Sequence, residues 1–396
     1  MRILFLNYEY PPLGGGGGVV MAALARELAR RHAVTVLTSA GPGLPSEADD
    51  GGVRVLRVPV FFRRELAVAN FPSMLAYLPM AALRAHSERL KGQFDVINTH
   101  FAVPTGPIGD WLAFRFGVPN VLSVHGGDLY DPSKGSSPHR HALLRMAVRR
   151  LLRRADALVG QSRDTLQRVA DLYGVQRETQ LIPLGIERPP RVSSALHESL
   201  GLPAGAFVMV TIGRLVARKA ATQLVEALQA TARSDAHLLV VGDGPDAEPL
   251  RRRAAELGLG SRVHLLGQVS EQRKFEALAS ADIFVSTSQH EGFGLVFLEA
   301  MAFGLPVVCY DRGGQTDFLQ SGRTGEVVTL NDLPAFSRAI VALHDDTAKR
   351  RVIAAANLQI VEDYFIDRCA ERYETVFAAA IRDHGAIDVR NRRNSR

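Results

Sequence analysis

Short, continuously apolar runs alternate with amphipathic stretches along nearly the whole chain, and nothing else in the sequence constrains the fold as strongly. In the first half the runs are Ile3–Leu6, Val34–Leu37, Val53–Val58, Val96–Thr99, Val121–Val124, Ala157–Gly160 and Leu181–Pro183. In the second they are Phe207–Ile212, Leu238–Val241, Val263–Leu266, Ile283–Ser286, Val307–Tyr310 and Glu326–Val328. Helical patterns such as Val19–Arg30 and Ala220–Ala232 lie between them. Strands apolar on both faces belong to parallel sheets covered by helices on each side. The series occurs twice, so the sequence predicts an α/β chain of two doubly wound, Rossmann-like domains. Its 396 residues are also too many for one ordinary core.

The break is placed in the Pro- and Ser-rich stretch that begins Glu187-Arg188-Pro189-Pro190. This gives a first domain at 1–187, a linker at 188–199 and a second domain at 200–364. A C-terminal helix at 365–385 is expected to pack back on the first domain, followed by a disordered tail at 386–396. The N-terminal run Met1–Leu6 is too short for a signal peptide and reads as the first strand. Two cysteines, Cys309 and Cys369, form no disulfide framework or metal-ligand spacing, which suits a reducing cytoplasm. Charge is uneven: residues 1–190 hold 23 Lys/Arg against 16 Asp/Glu, or +7, and the remainder 24 against 25, or −1. A basic first half suits an acidic partner such as nucleic acid, an anionic membrane or a phosphate-bearing substrate.

Doubly wound sheets bind ligands beyond the carboxyl ends of their strands. The most informative segment there runs from Ser288 to Ala302 and includes Glu291-Gly292-Phe293-Gly294-Leu295 and Glu299. Its glycines allow close backbone approach, and a helix opening near Leu295 offers unpaired N–H groups to a phosphate. Spacing alone equally allows Glu291 to be a cap-region acid and Glu299 a solvated one. In the first half, Tyr8–Val20 carries five consecutive glycines between strand and helix. They suit a phosphate or form a flexible turn. The dinucleotide-binding spacing fails, because glycine is missing at Val19 and Val20. A third segment, Ser123-Val124-His125-Gly126-Gly127-Asp128, also follows a strand; by itself His125 there reads as readily structural as functional.

Taken together these segments resemble the retaining GT-B glycosyltransferases of family 4. The Glu291/Glu299 pair matches that family's Glu-seven residues-Glu motif. Gly213–Lys219, Val241–Pro245, Gly267-Gln268-Val269 and Gly304–Val308 match further landmarks in order. The resemblance implies two domains facing each other across a cleft. It assigns catalytic roles to His125, Arg214, Lys219 and Glu291. It assigns donor binding to Gly16, Gly17, Gly18, Arg214, Lys219, Val269, Glu291, Phe293, Gly294, Leu295 and Glu299. Tyr10, Gly15 and Asp128 fall on the acceptor side. Ala220 departs from the family's usual glycine.

The implied substrate is a UDP- or GDP-linked sugar, moved without cofactor to a hydroxyl of a glycan, lipid-linked or small-molecule acceptor. No Asp-x-Asp occurs, so transfer is expected to need no metal, with Arg214, Lys219 and helix dipoles standing in for the ion. A nucleotide-sugar epimerase or a glycan phosphorylase on the same architecture is the rival enzyme class. A nucleic-acid-binding role has no zinc spacing or aromatic motif behind it. Finally, His139–Arg154 reads as a basic amphipathic helix, and Leu66–Leu83 lacks any charged residue. Pro72 and Pro79 make the latter an interfacial or core-covering segment rather than a membrane span. Both features fit a cytoplasmic protein that docks peripherally on an anionic membrane.

Overall fold

The computed structural model describes the chain apart from Phe62, Ser136 and residues 64–70, 132–134, 193–195 and 395–396, and apart from the side chains of Phe71 and 387–394. It divides into two compact units, Met1–Glu187 with Phe365–Arg396, and Arg188–Tyr364.

The first unit is built on an eight-stranded sheet: β1 (Arg2–Leu6), β2 (Ala33–Ser39), β3 (Glu47–Asp50), β4 (Val53–Val58), β5 (Val96–His100), β6 (Asn120–Val124), β7 (Ala157–Gly160) and β8 (Gln180–Leu181). Their order is β3-β4-β2-β1-β5-β6-β7-β8. All pairs are parallel except β3–β4, a hairpin that the apolar pattern does not reveal because β3 reads Glu-Ala-Asp-Asp. Alternation along the strands sorts the core into two layers. Ile3, Phe5, Val34, Val36, Val53 and Val55 pack under helices Gly16–Ala29 and Ile366–Asn394. Leu4, Leu6, Leu37 and Leu56 face helices Phe71–Ser87 and Gly106–Phe116, while Leu122 and Leu158 face Ala142–Arg154 and Arg163–Tyr173.

The second unit holds β9 (Phe207–Ile212), β10 (Ala236–Val241), β11 (Val263–Gly267), β12 (Ile283–Ser286), β13 (Val307–Tyr310) and β14 (Gly325–Val328) in the order β11-β10-β9-β12-β13-β14. Every pair is parallel. Numbered within the unit this is the order 3-2-1-4-5-6, and its strand order reverses between β9 and β12, where such sheets open a crevice. In the first unit the corresponding reversal lies between β1 and β5.

One expectation changes and another is narrowed. Helix Ile366–Asn394 runs through most of the segment expected to be a disordered tail; residues 395–396 lie outside the described set. Of the uncharged stretch, 66–70 also lie outside it. The rest enters helix Phe71–Ser87, which buries Tyr77 and Ala81 and so covers the core.

Candidate active site

In the second unit the glycine-bearing turns converge at the carboxyl ends of the strands. Gly213 follows β9 and Gly242 follows β10, so close together that a Cβ on Gly242 would lie 2.0 Å from the Gly213 carbonyl oxygen. Gly313, after β13, abuts the Glu291 backbone just as tightly, at 1.9 Å, and Gly314 N–H donates to the Glu291 carbonyl at 2.9 Å. Side chains at Gly242 and Gly313 would wedge these loops apart.

Glu291 is thereby held after β12, opposite the segment that follows β9. Its carboxylate is ion-paired with Lys219, lies 3.4 Å from Arg218 and accepts from Ser288 Oγ at 2.7 Å. Burial opposes the charge, but Lys219 and Arg218 outweigh it and hold the carboxyl at about 2. Three residues on, Gly294 takes φ +92° and starts helix Leu295–Ala302, which has no side-chain cap and no acid in its first turn. Its first N–H groups are therefore open to an anion. Phe293 contributes backbone only, since its ring is buried against Phe318 at 5.3 Å. Glu299, on the same helix, pairs with Lys274 at 2.9 Å; burial raises its carboxyl, and Lys274 pulls the other way. Arg214 is exposed and has no ion-pair partner among the described residues. Val269 follows β11, just before Ser270 caps helix Glu271–Ala279.

In the first unit, helix Gly16–Ala29 begins inside the glycine run, with Gly15 as an N-cap that offers no side chain. A Cβ on Gly17 would lie 2.7 Å from Phe101, whose ring lies tilted against His125 at a 4.3 Å centroid distance. Gly15 faces open space. The structure thus brings together the turns after β1, β5 and β6. Phe101 takes φ +71°, a strained value for a non-glycine residue.

His125 lies at the end of a buried chain. Asn98 donates through Nδ2 to Val121 O and Ser123 Oγ, so its Oδ1 accepts from His100 Nε2 at 2.7 Å. His100 Nδ1 then accepts from His125 Nε2 at 2.9 Å, and His125 Nδ1 lies 3.2 Å from Gln161 Oε1. With the proton on Nε2, Nδ1 is a lone pair facing the Gln161 oxygen and makes no hydrogen bond to it. Burial depresses the ring to about 4, with Gln161 opposing the shift; His100, likewise buried, falls well below its ordinary value. Asp128 accepts from Ala102 N–H at 2.6 Å and His125 N–H at 2.9 Å, so it clasps two loops from below. Burial raises its carboxyl to about 6 against those donors. Tyr10 is buried too, its hydroxyl 2.6 Å from Asp50 Oδ2. His125, Asp128 and Tyr10 thus each bond to groups within the unit, at the ends of β1 and β6. Arg218, Ser288, Lys274, His100 and Gln161 were not legible as site residues. Each acts through a partner distant in sequence or, like Ser288, lacks a motif of its own.

Comparison with known proteins gives the context. Residues 192–359 match the family model for glycosyl transferases group 1, and 14–188 that for glycosyltransferase family 4. The chain is 30% identical to D-inositol 3-phosphate glycosyltransferase 1 of Catenulispora acidiphila, covering 96% of each. It belongs to the group 1 glycosyltransferases. This glycosyltransferase is also 29% identical to a GDP-mannose-dependent phosphatidylinositol monomannoside mannosyltransferase of Mycolicibacterium smegmatis, over 89% of the chain and 92% of the relative. Its fold matches sucrose-phosphate synthase from Thermosynechococcus elongatus with a TM-score of 0.80 at 24% identity, covering 96% and 99%. The architecture is GT-B.

Proposed function

We propose that this glycosyltransferase moves a sugar from a UDP- or GDP-linked donor to an acceptor hydroxyl, with retention and without a metal ion, in polysaccharide, glycolipid or other glycoconjugate synthesis. The observation that carries the reading is the ion-paired Glu291 at the uncapped start of helix Leu295–Ala302, at the strand-order reversal of the second unit. In this reading the diphosphate meets the helix N–H groups, Arg214 and Lys219. These fixed charges stabilise the negative charge that develops as the nucleoside diphosphate departs. Glu291 holds the transferred sugar, Glu299 the ribose hydroxyls, and the residues near Val269 border the base. The glycine turn Gly15–Gly18 and the His125 turn supply backbone to the donor phosphate and the acceptor. Among the described residues none has the clear role of a general base, so the leaving phosphate oxygen takes the acceptor's proton during attack on the same face, and catalysis is mainly positioning and charge stabilisation. The enzyme acts in the cytoplasm, docked peripherally at the inner face of the membrane, on a glycan, lipid-linked or small-molecule acceptor. Among the described residues no helix is long and apolar enough to cross a bilayer.

The test is a screen of UDP- and GDP-sugars for slow hydrolysis without acceptor, with the released anomer read by NMR. The expected product keeps the donor's anomeric configuration, and turnover persists in EDTA. An inverted first product, or complete loss on chelation with rescue by manganese, overturns the reading.

A further inference from the structure

Helix Ala142–Arg154 buries Val148, Leu151 and Leu152, yet its outer face is not purely polar. Arg145, Arg149, Arg150 and Arg153 are all exposed, and among them stand Leu143, 77% exposed, and Met146, 62% exposed. On a helical wheel Leu143, Met146, Arg150 and Arg153 fall within about 80° of one another. The helix contains no acid, and none of these four arginines has an ion-pair partner among the described residues. Arg154 instead reaches Asp110 at 3.0 Å and ties the helix to Gly106–Phe116, which extends the same surface with Trp111, 43% exposed, and Phe114, 77% exposed.

Two grooves flank the surface. One, of about 240 Å³, is lined by Arg145, Met146 and Arg149 against the end of helix Arg163–Tyr173. The other, of about 230 Å³, sets Trp111 beside His86, Arg89, Lys91 and Arg115. Unpaired cations interleaved with large exposed apolar side chains, including a tryptophan, match the two-part demand of a phospholipid interface, charged headgroups above and acyl carbon below. A purely solvated face needs no exposed Phe, Leu and Met, and a nucleic-acid surface needs the cations alone.

We infer that this face docks on an anionic phospholipid bilayer. Leu143, Met146, Trp111 and Phe114 enter the headgroup region, and the groove between Arg145 and Arg149 seats a lipid phosphate. The inference deepens the proposed membrane-side setting by naming the surface and the lipid chemistry, and its test needs no sugar transfer. The full chain is floated with phosphatidylcholine vesicles, with and without phosphatidylglycerol, at low and high salt. Binding should require phosphatidylglycerol and fall with salt. Arg145→Gln with Arg149→Gln should weaken it on the order of fivefold per arginine removed. Leu143→Ser with Met146→Ser should weaken it too while keeping the salt dependence. UDP or GDP binding, measured on each variant, should stay at the parent value and show that the fold is intact. Absence of vesicle binding at low salt, binding unchanged in both double variants, or tighter binding to a DNA duplex than to the vesicles overturns the inference. Vesicle binding as expected without turnover of any nucleotide sugar would leave docking standing and remove the proposed reaction instead.

Discussion

Two carboxylates of one motif sit in different electrostatic settings, and their variants should separate. Glu299→Ala removes the proposed partner of the ribose hydroxyls, so nucleotide affinity should fall by about 1.5–3 kcal/mol, the worth of a charge-assisted hydrogen bond. Isothermal titration with UDP or GDP checks this, and unchanged affinity would falsify the assignment. Glu291→Ala should act mainly on turnover, and it leaves Lys219 and Arg218 without their shared carboxylate. Breaking such a pair from one side costs about 3–5 kcal/mol when it is buried. Because Lys219 and Arg218 are partly exposed, the lower end is expected, read as a drop in Tm alongside kcat. The neighbouring Ala220 sits at φ +45°, a left-handed conformation that a Cβ disfavours by about 1–2 kcal/mol. Ala220→Gly relieves that strain but loosens the unfolded chain, so a net gain of up to about 1 kcal/mol is expected from calorimetry. A lower Tm would mean that the turn is not strained.

At the scale of elements, the parallel strands were legible because burial on both faces writes a continuous apolar run, as in Val307–Tyr310. The hairpin strand β3 escaped because its Glu-Ala-Asp-Asp sequence signals solvent, and its pairing with β4 supplies the order instead. The glycine turn at Gly242 was legible as well, since its close approach demands that residue, whereas Gly313, equally tight, belongs to no motif that the sequence shows. The inward bonding of His125 and Asp128 was not, because their partners His100, Gln161 and Ala102 come from other strands' ends. The C-terminal helix illustrates a long-range element that the pattern does identify. Its Phe377 is fully buried, edge-on to Phe5 at 6.5 Å, and Gly185 leaves room for Ile366 where a Cβ would lie 2.7 Å from its Cα. Phe377→Ala should therefore cost the first unit about 3–5 kcal/mol, measured as a shift of the urea midpoint. A loss below about 1 kcal/mol would mean that the helix contributes little to that core.

At the scale of the whole molecule, both units carry an imidazole pair that burial depresses, His100 and His125 in the first and the less buried His237 and His264 in the second, so the first unit should answer acid more strongly. Burial pushes His125 down to about 4 in the folded chain and holds His100 well below the ordinary imidazole value of 6.5. The unfolded chain therefore binds more protons between about pH 6.5 and 4, and stability is lost as pH falls through that window. His125 alone accounts for about 3 kcal/mol at most. Asp128 works in the opposite direction: with its carboxyl raised to about 6, it gains stability on protonation below that pH. One carboxyl offsets only part of two imidazoles, so the first unit should weaken on balance. In the second unit Glu291 is depressed to about 2, so its contribution is complete above its ordinary value of 4.5 and is lost only as pH falls through about 2. The chain's one tryptophan, Trp111, lies in the first unit and reports on it by fluorescence. Lowering the pH from 7 to 4.5 should reduce the urea midpoint seen by Trp111. The His100→Asn variant, which removes the most deeply buried imidazole, should flatten that response. A midpoint that does not move with pH, or an unchanged slope in the variant, would refute the role given to the two imidazoles.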